Sequence, residues 1–131
     1  MSFEGQTIEQ WLATARSLRT KGQNKKAIEA YEKALKADPK STTALNEKGL
    51  LHIHLGEQKE AIASFDSAIA LKPDKAEAYA NKAEAYLTVG SFEEALKTAE
   101  EGLKRVQADA TLWARKARAL ESLLKIQEAI D

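Results

Sequence analysis

The sequence predicts an all-α solenoid, a stack of antiparallel helix pairs, on three observations. Gly22, Gly56 and Gly90 stand 34 residues apart. An alanine–aliphatic pair follows each glycine at one distance, as Ala27-Ile28, Ala61-Ile62 and Ala95-Leu96, and the period runs on to Ala129-Ile130. Large and small side chains alternate at helical spacing between those marks. Self-similarity at a fixed period of this kind identifies a repeat architecture. A chain made of copies of one packing unit is expected to present a surface rather than to perform chemistry, so no enzyme is predicted. With Ile8 as place one, the units are 8–41, 42–75, 76–109 and a partial 110–131, about 3.6 repeats in a single domain. A short leader, residues 1–7, precedes them.

The first helix is expected over 7–21, with Thr7 and Gln10 as a capping box. Its ridge is Trp11, Ala15 and Leu18, at places four, eight and eleven, which share one helical face. Gly22 closes it, because glycine reaches positive φ without a Cβ penalty. The second helix, 24–37, carries the facing ridge Ala27, Tyr31 and Ala34, and Pro39 ends it. The third, 42–55, repeats the first ridge as Leu45, Gly49 and His52 before Gly56. The fourth, 58–71, repeats the second as Ala61, Phe65 and Ala68 before Pro73. The fifth, 76–89, carries Tyr79, Ala83 and Tyr86 before Gly90. The sixth, 92–106, starts with Ser91 and Glu94 as a plausible capping box. It departs from the pattern, with Ala99 for the aromatic, Gly102 for alanine and Gln107 for proline. Glycine inside a helix costs about 1 kcal/mol relative to alanine. Either the packing tolerates drift here, or Trp113 of the next unit fills the space above Ala99. The seventh helix, 109–123, carries Trp113, Ala117 and Leu120. Leu124 stands where the glycine should be, so that turn should differ, and an eighth helix is expected to begin near 126. Short connections make neighbours antiparallel.

Composition narrows the function. Lys plus Arg and Asp plus Glu number 20 each, so the net charge is zero. A general nucleic-acid or acidic-membrane binder would carry a basic excess. There is no cysteine, which excludes disulfides and thiolate metal sites and fits a reducing, cytoplasmic setting. The opening residues lack a basic stretch followed by an apolar run, so no secretory signal is expected. No apolar run approaches the roughly 20 residues of a membrane span, so no membrane insertion is expected.

These residues resemble the tetratricopeptide repeat family. Its pattern places a large aromatic, a small residue, a Tyr, a Gly, an Ala, an aromatic, an Ala and a Pro where this chain has them. The resemblance covers residues 8–131 and keeps its phase without an insertion. It implies a right-handed superhelical solenoid of antiparallel helix pairs. It also implies a protein-binding scaffold or adaptor that holds a peptide or partner helix in a concave groove lined by the first helix of each pair.

Signals for chemistry are absent or weak. No glycine-rich phosphate loop and no G-x-S-x-G elbow is present. His52 and His54 lie two apart on a helix and point to different faces, so they cannot share a metal as an i, i+4 pair can. His52 falls at a core place and His54 on the open face. No cofactor and no metal is expected. The basic stretch Arg16, Arg19, Lys21, Lys25 and Lys26 lacks the interleaved aromatics that base stacking needs. It is read as a solvated helix end rather than a nucleic-acid site.

Carried over from the resemblance, the groove is lined by places two, five, six, nine, twelve and thirteen. The binding candidates among them are Arg16, Arg19, Asn46, Leu50, Ile53, His54, Asn81, Glu84, Leu87, Arg115 and Arg118. Leu50, Ile53 and Leu87 have no assigned core role and are expected to form a central apolar patch. Arg16 and Arg19 flank one end, Arg115 and Arg118 the other. Asn46 and Asn81 offer donor and acceptor to a peptide backbone. The expected partner is therefore a protein or peptide with an apolar centre and acidic flanks. The subclass that grips the C-terminal carboxylates of Hsp70 and Hsp90 needs five Lys, Asn and Arg positions. Starting from repeat one, Leu12, Arg16, Glu47, Glu77 and Asn81 match none of them. Starting from repeat two, only Asn81 and Arg115 match.

The alternative function is a structural spacer or self-association unit within a larger multidomain protein or complex. The partial repeat motivates it. Leu120, Leu123, Leu124, Ile126 and Ile130 lack the cover that the next helix gives elsewhere. They point either to a piece excised from a longer protein or to a homodimer through residues 120–130.

Overall fold

A computed structural model describes residues 5–130. Residues 1–4 of the expected leader, and Asp131, lie outside the described residues. The described residues form seven helices: α1 (Ile8–Thr20), α2 (Asn24–Ala37), α3 (Thr42–His54), α4 (Gln58–Leu71), α5 (Ala76–Thr88), α6 (Phe92–Arg105) and α7 (Ala110–Ile130). They form an all-α solenoid. Contacts are densest within α1–α2, α3–α4 and α5–α6, and α6 packs on α7 in the same way. Helices α3, α5 and α7 also touch one another in succession, which makes the odd-numbered helices one continuous layer.

The three glycines build three copies of one turn. Each has φ of +77°, a left-handed conformation that favours glycine. In the first copy the Gly22 N–H donates to the Arg19 carbonyl at 3.0 Å and the Gln23 N–H to the Leu18 carbonyl at 2.9 Å. That crossed pair is the Schellman closure of a helix C-terminus. Gly56 with Glu57, and Gly90 with Ser91, repeat it. The Thr7 capping box forms as expected: its hydroxyl accepts from the Gln10 N–H and the Gln10 side chain accepts from the Thr7 N–H. The expected box at Ser91 does not form, since that side chain makes no cap hydrogen bond. Its backbone N–H is already spent on the Tyr86 carbonyl that closes α5.

The core is a line of small clusters, one per joint. Tyr31 and Phe65 are fully buried between alanines of both helix layers. Gly49 is small because the Phe65 ring lies where its Cβ would stand. The irregular sixth helix follows the same logic with the sizes exchanged. A Cβ on Gly102 would lie 2.8 Å from Tyr79 Cβ and 3.0 Å from the Leu112 methyls, and Leu112 is fully buried. The idea that Trp113 fills the space above Ala99 is therefore corrected. Trp113 is 52% exposed, its indole N–H donates to the Gln107 carbonyl at 2.8 Å, and Leu112 is the residue pressed against α6.

The end of the chain also differs from expectation. α7 is one helix of 21 residues, so neither a stop at 123 nor a separate eighth helix is present among the described residues. Leu124 in place of glycine explains this, since nothing there favours the left-handed turn that ended α1, α3 and α5. Without a helix folded back on it, the ridge of α7 stays open, and Trp113, Ala117, Leu120 and Leu124 are all exposed.

Candidate functional site

The inner layer brings together the side chains at places six and nine. Place nine of one odd-numbered helix meets place six of the next at the first and last joints. At the first joint Arg16 of α1 donates two hydrogen bonds to Glu47 of α3, Nε to Oε1 at 2.9 Å and Nη2 to Oε2 at 2.6 Å. Arg19 lies 3.8 Å from the same carboxylate and donates to the Tyr31 hydroxyl at 3.0 Å. Tyr31 in turn donates to Glu47 Oε1 at 3.0 Å. At the last joint the signs are reversed. Glu84 of α5 accepts from Arg118 Nη1 of α7 at 2.7 Å, and Arg115 Nε lies 3.2 Å from the same oxygen. At the middle joint the two places hold Leu50 and Asn81, and Asn81 Nδ2 donates to Asn46 Oδ1 at 3.4 Å.

The first joint is strongly coupled. Burial opposes the charge on Glu47, but hydrogen bonds from Arg16 and Tyr31, with the two guanidinium charges, outweigh it and hold the carboxyl below its ordinary value. Burial first, then the bond to Glu47, pushes the Tyr31 hydroxyl up to about 12. The bond to Glu47 raises Arg16 above its ordinary value. Each of these two clusters thus sets two guanidiniums against one carboxylate.

The candidate residues fall into two groups. Arg16, Arg19, His54 and Arg118 are exposed, Leu50 is 41% exposed, and Asn81, Glu84 and Arg115 are half-buried. Asn46, at 3% exposed, is buried, so its carbonyl oxygen serves Asn81 before any ligand. The central apolar patch is smaller than expected. Leu87 is 8% exposed and packs in the core with Ala95 and Ala119. Ile53 is half-buried against the Ala61, Phe65 and Ala85 cluster. Both lie late in their helices, where the neighbouring helices close over the inner face, so Leu50 is the apolar side chain that this face offers. Arg19, Leu50 and His54 meet at a cleft of about 340 Å³, completed by Thr20, Gly22, Asn24 and Leu51.

Two members of the site are not among the binding candidates. Glu47 falls at a groove place, six of the second unit, 31 residues after Arg16. Tyr31 falls at a core place, where its ring does lie, and no pattern announces that its hydroxyl reaches Glu47. His52 is buried with Nδ1 3.0 Å from Glu57 Oε1. Among the described residues no three His, Cys, Asp or Glu side chains are grouped to hold a metal ion, and no helix is long and apolar enough to cross a membrane.

Two models of the tetratricopeptide repeat family match the chain, over residues 12–76 and 53–120. No curated protein matches it. Among solved structures, the Sgt2 domain from Aspergillus fumigatus is similar with a TM-score of 0.82 at 13% identity, over 95% of this chain and 83% of that one. The first repeat domain of Spaghetti (RPAP3), bound to the HSP90 peptide SRMEEVD, gives 0.77 at 19% identity, over 90% and 94%. The TPR2B domain of yeast Sti1, in complex with an Hsp70 peptide, gives 0.75 at 21% identity, over 92% and 98%. At these identities the likeness establishes the fold.

Proposed function

The chain belongs to the tetratricopeptide repeat family, and from that premise we propose that it is a protein-interaction module, not an enzyme, which holds an extended peptide or helix of a partner along its inner face. One observation carries the reading. Leu50 is exposed in the middle of that face, between two clusters that each carry two arginines on one glutamate. An apolar side chain with acidic residues on both sides complements that order, because each cluster holds one more guanidinium than carboxylate. The arginines are already held by Glu47, Tyr31 and Glu84, so little side-chain entropy remains to be lost when a carboxylate binds. A guanidinium has five N–H donors, and the intramolecular bonds of Arg118 and Arg19 leave several of them for a ligand. A cytoplasmic setting belongs to the same reading.

The test is selection of peptides from a random library on the immobilised protein, followed by affinity measurement on the Leu50→Asp variant. Leu50→Asp places a charge in the apolar centre and is expected to weaken the selected peptides at least about ten-fold, or 1.4 kcal/mol, with the melting temperature unchanged. Equal affinity for both proteins would refute the assignment. SRMEEVD is the comparison peptide. Too few of the carboxylate-gripping positions are matched here, so it is expected to bind more weakly than the selected ones.

A second reading, self-association, is favoured by the open ridge of α7. Trp113, Leu120, Leu124, Ile126 and Ile130 are all exposed large apolar residues on this one helix.

A further inference from the structure

The cleft at the first glycine turn brings an exposed leucine together with a guanidinium and an imidazole. Leu50, Leu51, Arg19, His54, Thr20 and Asn24 are among the residues that line it. We propose that this cleft takes an acidic–aliphatic side-chain pair of the bound peptide, the aliphatic group on Leu50 and the carboxylate between Arg19 and His54, and that protonation of His54 tightens the grip. The inference rests on the interaction-module reading and specifies one of its subsites.

The charge argument is local. Arg19 is positioned by its bond to the Tyr31 hydroxyl, which uses one guanidinium hydrogen and leaves the others for an incoming carboxylate. His54 is exposed near the end of α3. Among the described residues, the charged or titratable groups lining the cleft are these two: α1 supplies Arg19, α3 supplies His54, and the start of α2 supplies the neutral Asn24. Glu57, in the turn after α3, is bonded to the buried His52. An empty cleft therefore sets a protonated His54 beside a permanent positive charge. A carboxylate between them reverses that balance and favours the imidazolium. Binding and proton uptake are linked, so affinity rises as pH falls and the imidazole gains its proton. The carboxylates of the peptide stay ionised at pH 5.5, about one unit above their ordinary pKa.

The probe is an acetylated, amidated peptide of sequence Glu-Leu-Glu-Glu-Leu, with Gln-Leu-Gln-Gln-Leu as its neutral counterpart. Affinities are measured at pH 5.5 and 7.5 for the wild-type chain, His54→Gln, Arg19→Gln and Leu50→Asp. The expected result is that the acidic peptide binds the wild type about five-fold more tightly at pH 5.5, the gain of one charge contact in water. His54→Gln binds the acidic peptide equally at the two pH values. Arg19→Gln weakens binding at both values, and the neutral peptide shows no pH effect. A pH effect that survives in His54→Gln, or none in the wild type, overturns the proposal. If Leu50→Asp abolishes binding but Arg19 and His54 do not matter, the groove reading stands and this subsite falls. If Glu-Leu-Glu-Glu-Leu does not bind and library peptides do, the subsite again falls alone. If no peptide of either kind binds, both fall.

Discussion

At the scale of single residues, Tyr31 joins the core to the inner face. Its ring is buried with Ala27, Ala34 and Ala44, while its hydroxyl bridges Arg19 and Glu47. Its proton is held up to about 12 in the folded chain, against about 10 in an unfolded one. A raised value means that stability from this group is present in full below pH 10 and is lost as pH rises from 10 to 12. Only the unfolded state releases the proton in that window. Tyr31→Phe lacks the proton, so its unfolding free energy should fall less steeply across the window than that of the wild type, by about 2 kcal/mol. Urea titrations at pH 9.5 and 11.5 check this, and parallel slopes would contradict it. Glu47 acts in the opposite sense: its depressed pKa gives stability that is present above its unfolded value and lost in acid. The ring of Tyr31 was legible in the sequence because burial follows helical period. The hydroxyl contact was not, because it depends on how far α3 comes over α1, and periodicity does not encode that distance.

At the scale of elements, the sizes of facing side chains decide how the helices meet. In the first two repeats the even-numbered helix brings Tyr31 or Phe65 and the odd-numbered helix brings alanine or glycine. At the third joint the exchange is reversed, with Gly102 on α6 and Leu112 on α7. Gly102→Ala sets two effects against each other. Helix propensity favours alanine by about 1 kcal/mol, while overpacking against Tyr79 and Leu112 costs about 1–3 kcal/mol. The contact to Tyr79 is to Cβ, which cannot swing aside, so the substitution is expected to destabilise on balance. Adding Leu112→Ala relieves the part of the clash made with the Leu112 methyls and leaves the part made with Tyr79, so a double-mutant cycle by chemical denaturation should return a coupling of at least about 0.5 kcal/mol. Strict additivity would mean that Gly102 is merely tolerated. The departure from pattern is readable in the sequence as a departure, and there it leaves open whether the packing tolerates drift or Trp113 fills the space. The helix phase puts Leu112 inward against Gly102 and leaves Trp113 half exposed.

At the scale of the whole molecule, the two ends of the solenoid are unlike. The positions that bury Ala44 and Leu51, Ala78 and Ala85, or Leu112 and Ala119 against a preceding helix hold Gln10 and Ser17 in α1, both exposed. That face of α1 is therefore polar. The open ridge of α7 is apolar. If it associates, sedimentation of this chain at rising concentration should show a dimer that Leu120→Glu with Leu124→Glu returns to monomer, and a monomer at every concentration would remove the self-association reading. The stacking itself followed from period, glycine and small-residue spacing, because those are properties of one repeat. The contents of the inner face did not follow, because burial of Asn46 and Leu87 and the pairing of Arg16 with Glu47 arise only when one repeat is laid on the next. The central claim concerns that face. It is tested most directly by the amide and side-chain NMR shifts of the labelled chain on adding a library-selected peptide. The account predicts changes at Arg16, Arg19, Leu50, His54, Asn81, Arg115 and Arg118, with α2, α4 and the Trp113 ridge unmoved. Changes confined to the outer helices or to that ridge would contradict it.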